Sequence, residues 1–224
     1  MNTMEYGKAF TYPQEDQNWI VKLLIVSFIP LVPIIGGFIS LGYAIEITRR
    51  VIRGETPTLP EWSDFGDFLK KGFLAFVVAL AYLLPLIILA VCASIPQVAL
   101  SSADDGSGNL AAIGGLIGVC FGCLAALYGI VVGIALPAAF GKLAVTGELG
   151  AALRISEVVA LVRTKPAVFL IIMLISSLVG SLLASIGSVL CFIGAFVGAG
   201  YAQLVAAHLW GQAYRVASAE AGRA

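Results

Sequence analysis

Six apolar stretches decide what this chain can fold into. They run approximately from Ile20 to Leu31, Ile35 to Ile52, Gly72 to Ile95, Leu110 to Phe140, Pro166 to Leu190 and Ile193 to Trp210. Several approach or exceed the roughly 18–20 residues with which a helix crosses a hydrocarbon core. Charged residues make up 12% of the 224, half of the roughly 25% usual in a soluble domain. With 60% hydrophobic residues and a mean hydropathy of +1.00, the chain lacks the polar groups to cover itself in water. A backbone in lipid must satisfy its own hydrogen bonds, so helices are the expected form. The sequence predicts an all-α integral membrane protein, a single membrane domain over residues 1–224.

The first two stretches are expected to form a hairpin. One helix from Trp19 to Ile52 would be about 50 Å long, against a core of ~30 Å. Pro30, Pro33, Gly36 and Gly37 fall in its middle and favour a break. The first arm is barely long enough to span, so a re-entrant hairpin is the alternative to two crossings. The basic residues divide accordingly. Lys22 precedes the hairpin, and Arg49, Arg50 and Arg53 follow it. Lys70 and Lys71 precede the third stretch. Lys142, Arg154, Arg163 and Lys165 lie between the fourth and fifth, and Arg215 and Arg223 follow the sixth. The turns of the opposite side carry no Lys or Arg, and the longest holds Asp104 and Asp105. The positive-inside rule then predicts six membrane helices with both termini cytoplasmic; the cell (inner) membrane is the expected location. The parts are a polar N-terminus (1–18), a first half (19–95), an outer loop (96–109), a second half (110–215) and a cytoplasmic tail (216–224). Residues 1–18 lack the basic start and small-residue cleavage site of a signal peptide, so the first stretch is expected to stay as an uncleaved anchor.

One phrase occurs twice. IGGFISLGYA (35–44) and IGAFVGAGYA (193–202) share Ile, Gly, Phe, Gly, Tyr and Ala in register. Each sits just past an outer turn, at the start of an inward helix. Glycines there allow tight turns and close helix approach, which marks Gly36, Gly37, Gly42, Gly194 and Gly200 as packing residues. Gly118 and Gly122 of the fourth stretch belong to small-xxx-small faces for close helix contact, within the monomer's own bundle or in an oligomer. A weaker echo aligns RGETPTLPEWSDFGDFLKKG (53–72) with TGELGAALRISEVVALVRTK (146–165), Gly-Glu on Gly-Glu. Both copies keep the same membrane orientation, so the pattern predicts parallel internal pseudo-repeats.

Two cytoplasmic amphipathic helices are expected in these echoes. In the first, Pro60 suits the first helical position, acids precede the bases Lys70 and Lys71, and Trp62, Phe65 and Phe68 share one face. Such a helix lies in the interface, either as an elbow between spans or as a surface for partner docking or lipid recognition, with Arg49 and Arg50 nearby. The second covers Leu149–Val162, with Ile155 and Val159 inward and Arg154 outward.

The segments AFTYPQEDQNWIVKLLI (9–25), GYAIEITRRVIRGETPTLPEW (42–62) and HLWGQAYR (208–215) together resemble the prokaryotic membrane proteins of domain-of-unknown-function family 4013. The resemblance covers almost the whole chain. It implies a multi-pass prokaryotic membrane protein and brings no activity to any residue.

Two intramembrane polar residues are candidates for function. Glu46 precedes Arg49 and Arg50 by three and four residues; it fits either an ion or solute path or an interfacial salt bridge. His208, at the position matching Arg50 in the repeated phrase, fits a proton relay or an interfacial cap. Pro85 and Pro137 would free the carbonyls of Ala81 and Gly133, for a path or for plain packing. Cys120 and Cys123 form a C-x-x-C without a second Cys/His pair, read as buried and inert. No nucleophile–base set, metal-ligand cluster or phosphate loop is present, so no catalysis, metal or cofactor is expected. Two classes remain: a non-enzymatic scaffold or assembly subunit, and a small-solute or ion permease with a path between the pseudo-repeats. The expected partners are the bilayer and a second copy or membrane-complex subunit; nothing points to nucleic acid.

Overall fold

The computed structural model describes residues 4–56, 58–102, 109–189 and 191–222, and they form no strand. The helices are α1 (Lys8–Thr11), α2 (Trp19–Phe28), α3 (Ile35–Arg53), α4 (Phe65–Ser102), α5 (Asn109–Thr146), α6 (Leu149–Leu153), α7 (Ile155–Thr164), α8 (Pro166–Val189) and α9 (Cys191–Ala221). Four of them are long and apolar enough to cross a membrane: Phe65–Leu100, Ala112–Thr146, Pro166–Gly187 and Ile193–Ala221. These match four of the six stretches, and they give the chain its membrane location.

The first two stretches do form a hairpin. A 3₁₀ turn at Ile29–Leu31 ends α2, and the chain reverses through Pro33 and Ile34, whose φ is +64°. The apolar arm Trp19–Leu31 falls short of a spanning length. The other arm, α3, is long but polar, with Ser40, Glu46 and Thr48 all buried. An unbroken run from Gly42 to Thr48 is buried. A helix shut off on every side by protein need not be apolar, which is why α3 carries charge where a lipid-facing helix would not.

Contacts divide the chain into two compact units, Met1–Val78 with Ile134–Ala224, and Ala79–Gly133. In the first, α9 is the hub: α8, α3, α2, α7 and α1 pack on it. Glycines of the repeated phrase set close approaches of α3 and α9 to their neighbours. A Cβ at Gly42 would stand 1.8 Å from the Phe68 carbonyl oxygen, and one at Gly72 1.7 Å from that of Phe38, so α3 and α4 touch backbone to backbone. A Cβ at Gly200 would stand 2.1 Å from Ser27 Oγ, and one at Gly36 1.8 Å from the Ile29 carbonyl oxygen. Gly118 and Gly194 are half-buried. A Cβ at Gly37 or Gly122 would meet no atom of the described chain within 4 Å beyond its own local backbone.

The second unit holds the later part of α4 and the earlier part of α5. Helix α4 continues through Pro85 and Pro96, and the Tyr128 hydroxyl donates to the Tyr82 carbonyl (3.0 Å), three residues before Pro85. The helix persists to Ser102, so the first residues of the expected outer loop at 96–109 are helical; residues 103–108 lie outside the described ones. Helix α5 likewise runs through Pro137.

The two amphipathic segments differ from expectation. Residues 61–64 are not helical, and the helix that begins at Phe65 is α4 itself. Pro60 does not open the helix because Asp64 does: its Oδ1 accepts the Asp67 N–H (3.1 Å) and its carbonyl accepts the Phe68 N–H. The second segment breaks at Arg154 (ψ 85°) into α6 and α7. The break resets the helical phase, so Val158 and Leu161 face inward, while Ile155 is 64% exposed and Val159 lies at the surface. Arg154 is exposed as expected. The aligned glycines of the weaker echo behave alike. Gly54 (φ +69°) ends α3 and Gly147 (φ +68°) ends α5, both in the left-handed region that glycine enters without strain.

Candidate functional site

Glu46 is the most heavily partnered carboxylate among the described residues. It lies on the inward face of α3, one turn before Arg49 and Arg50, and only 4% of it is exposed. Arg49 donates Nε to Oε2 at 2.8 Å and also bonds Oε1 through Nη2. Arg50 Nε reaches Oε1 at 3.3 Å. Lys71 Nζ, from the second turn of α4, reaches Oε2 at 2.6 Å. Lys71 also pairs with Asp67, and Arg49 and Arg53 share Glu55 at 3.6 and 3.8 Å. The carboxylate therefore fastens α3 to α4. Three cations on two oxygens leave no lone pair ready for a proton or metal ion, so the arrangement serves as a latch.

A second knot joins the N-terminal segment to the loop after α3. Lys22 Nζ, 3% exposed, bridges Asp16 Oδ2 (2.7 Å) and Glu61 Oε1 (2.6 Å). Nearby, Trp62 lies parallel on Tyr43 with ring centroids 4.2 Å apart, and the Tyr43 hydroxyl donates to the Pro60 carbonyl (3.1 Å). Phe68 is buried and meets both rings edge-on, while Phe65 is 46% exposed. Of the three aromatics expected to turn toward lipid or the bundle, Trp62 and Phe68 pack on the bundle and Phe65 faces out.

Burial pushes the Asp16 carboxyl up, but hydrogen bonds from Lys22 and the Asn18 N–H, with the Lys22 charge, hold it below the ordinary carboxylate range. A depressed carboxylate stabilises the fold above its unfolded pKa of ~3.9 and loses that contribution as pH falls through its folded value. The stability difference between wild type and Asp16→Asn is therefore expected to be full at pH 6 and to shrink below about pH 4. Thermal unfolding in detergent at a series of pH values measures it; a difference constant down to pH 3 would refute the clamp.

His208 belongs to a stripe on α9 formed by Tyr201, Leu204, His208 and Gln212, which seats the N-terminal segment. The Tyr201 hydroxyl donates to the Phe10 carbonyl (2.6 Å), and the Tyr12 hydroxyl to the Leu204 carbonyl (3.0 Å). Tyr12 stacks on His208 at 4.3 Å. Gln212 pairs with the Glu5 backbone through both amide atoms (2.8 and 3.1 Å) and lies 3.1 Å from His208 Nδ1. His208 also borders a cavity of about 90 Å³ with Lys8, Thr58 and Arg215. Burial raises the Tyr12 hydroxyl pKa well above its ordinary value, so Tyr12 is a neutral anchor.

The three segments that carried the family resemblance thus meet in space. Residues 9–16 dock on 201–212, and Lys22 ties them to the Pro60–Trp62 turn. In the sequence Lys22 reads only as a marker of sidedness. The clue to its role is its place four residues after Asn18 at the mouth of an apolar run, where a lysine needs a partner. Cys120 and Cys123, expected to be buried, are exposed on α5 as free thiols, as is Cys92 on α4. Outward thiols on lipid-facing helices need no burial in protein.

The chain is similar to "Uncharacterized protein MJ1189" of Methanocaldococcus jannaschii, with 36% identity over 63 residues. That stretch is 28% of this chain and spans 22% of the relative's length. No solved structure matches the chain. The profile of the family described as "Protein of unknown function (DUF4013)" matches residues 25–203, so the chain belongs to the DUF4013 family.

Proposed function

We propose that this protein is a non-enzymatic membrane scaffold or assembly subunit, with both termini cytoplasmic. The observation that carries this reading is the way the buried polar groups are spent on one another. Glu46 is latched by Arg49, Arg50 and Lys71. Where α3 packs on α9, Ser40 and Gln203 exchange hydrogen bonds (2.9 and 2.8 Å) and Thr48 donates to the Ala207 carbonyl (3.0 Å). Close α3–α9 packing fills the place where a path between pseudo-repeats would run, which favours a scaffold over a permease. The apolar windows of α4, α5 and α8 are only 17%, 11% and 11% buried, leaving long faces for lipid or neighbouring helices.

The one-sided Lys and Arg pattern supports an inside location for both termini. The hairpin of α2 and α3 keeps the same sidedness whether it crosses the bilayer twice, for six spans, or re-enters from the inside, for four. The matching left-handed glycines Gly54 and Gly147 support the parallel-repeat reading. In a variant with its native cysteines replaced, a single cysteine at position 60 is expected to react only from inside and one at position 106 only from outside. External labelling at position 60 would sink this topology.

Photo-crosslinking in cells tests the assembly role. Leu127 of α5 and Leu178 of α8 are 64% and 59% exposed. A crosslinking residue at either is expected to give a discrete band with a second copy or another membrane protein. Capture of lipid alone, or solute flux through the purified chain in liposomes that Glu46→Gln abolishes in folded protein, would overturn it.

A further inference from the structure

A cleft of about 110 Å³ opens between the charged end of α3, the first turns of α4 and the last turns of α5. Its two sides differ in chemistry. Leu74 and Leu143 line an apolar wall, and Arg49, Lys70 and Lys71 supply a basic rim that also holds Asp67. Of the cations that line the cleft, Arg49 and Lys71 are matched by Glu46 and Asp67. Lys70 makes no ion pair among the described residues and its side chain is exposed, so it remains as the unmatched charge of the rim.

We infer that this cleft binds one anionic phospholipid of the cytoplasmic leaflet, its headgroup phosphate on Lys70 and the basic rim and the start of an acyl chain on the Leu74–Leu143 wall. Charge complementarity selects the head, since the unmatched Lys70 beside Arg49 and Lys71 calls for an anion. The apolar wall selects an amphiphile, because a free phosphate gains nothing from leucine. The location agrees, for the cleft lies where apolar α4 and α5 meet their basic flank. Basic pockets between helices on that side of a membrane suit anionic lipid heads.

The test uses the full chain, purified in dodecyl maltoside and titrated with phosphatidylglycerol or phosphatidylcholine, with bound lipid counted by native mass spectrometry. The expected result is one retained phosphatidylglycerol per chain and a clear preference for it over phosphatidylcholine. Lys70→Gln is expected to weaken phosphatidylglycerol binding about fivefold, as for one interfacial cation, and to leave phosphatidylcholine unchanged. Among the described residues Lys70 pairs with no other side chain, so this variant is expected to keep the fold. Arg163→Gln, at another exposed cation, is expected to change nothing. Leu74→Trp, which fills the cleft, is expected to remove the bound lipid. Equal affinity for the two lipids overturns the inference. So does an equal loss in Lys70→Gln and Arg163→Gln, retention of the lipid by Leu74→Trp, or its displacement by millimolar inorganic phosphate.

Discussion

Replacing Glu46 with glutamine is expected to destabilise the fold by about 2–4 kcal/mol. Removing one partner of a buried ion pair typically costs ~3–5 kcal/mol, and the lower range allows for cations that are partly solvated. The side chains of Arg49, Arg50 and Lys71 are 22%, 24% and 26% exposed, against 5% for Glu46. Water therefore relieves some of the repulsion left when the carboxylate goes. A neutral amide accepts one or two of the hydrogen bonds but cancels no charge, leaving three cations crowded on one another. Denaturant or thermal unfolding in micelles measures the loss. A change below about 1 kcal/mol would make the cluster equivalent to an exposed pair, and the latch would be refuted. Lys71→Gln is expected to cost less, because Arg49 and Arg50 remain on Glu46 and only Asp67 loses its ion-pair partner.

This network shows how far the sequence carries. The partners at i+3 and i+4, Arg49 and Arg50, follow from helical geometry alone. Lys71 lies 25 residues further on, and its arrival depends on how α3 and α4 cross. That crossing rests on Gly42 meeting Gly72, and only the first was recognisable, through the repeated phrase. The apolar stretches located every long helix because lipid imposes one strong rule on them. At the charged end the rules are weaker and compete. Proline at 60 and aspartate at 64 are both fair helix starts, and the hydrogen bond from the Asp67 N–H to Asp64 Oδ1 favours the second. Trp62 reads as an interfacial anchor by residue type, while its stacking on Tyr43 is set by the fold and absent from local pattern. His208 was visible as an odd residue in an apolar helix, but its partners Tyr12 and Gln212 needed the N-terminal segment to be placed first.

The second large effect is expected at Gly42, and it tests the crossing itself. Gly42→Ala adds one methyl group in a position 1.8 Å from the Phe68 carbonyl oxygen and 2.9 Å from the Gly72 nitrogen. These neighbours are backbone atoms of α4, which no side-chain rotation moves aside. The two helices must separate, and Phe68 then withdraws from Tyr43 and Lys71 from Glu46. Overpacking a close-fitted site costs about 1–3 kcal/mol, and the upper end or beyond is expected here because the clash is with backbone on a rigid helix. Gly72→Ala makes the reciprocal clash, 1.7 Å from the Phe38 carbonyl oxygen, and should cost as much. The double variant should cost less than the sum, since one outward shift of α4 relieves both methyl groups. Gly37→Ala is the control. It lies on the same helix, faces open space, and is expected to be neutral or stabilising by about 0.5–1 kcal/mol through helix propensity. Unfolding midpoints of the four variants decide the matter. If Gly42→Ala and Gly37→Ala unfold alike, α3 and α4 do not touch at this point, and Lys71 has no route to Glu46.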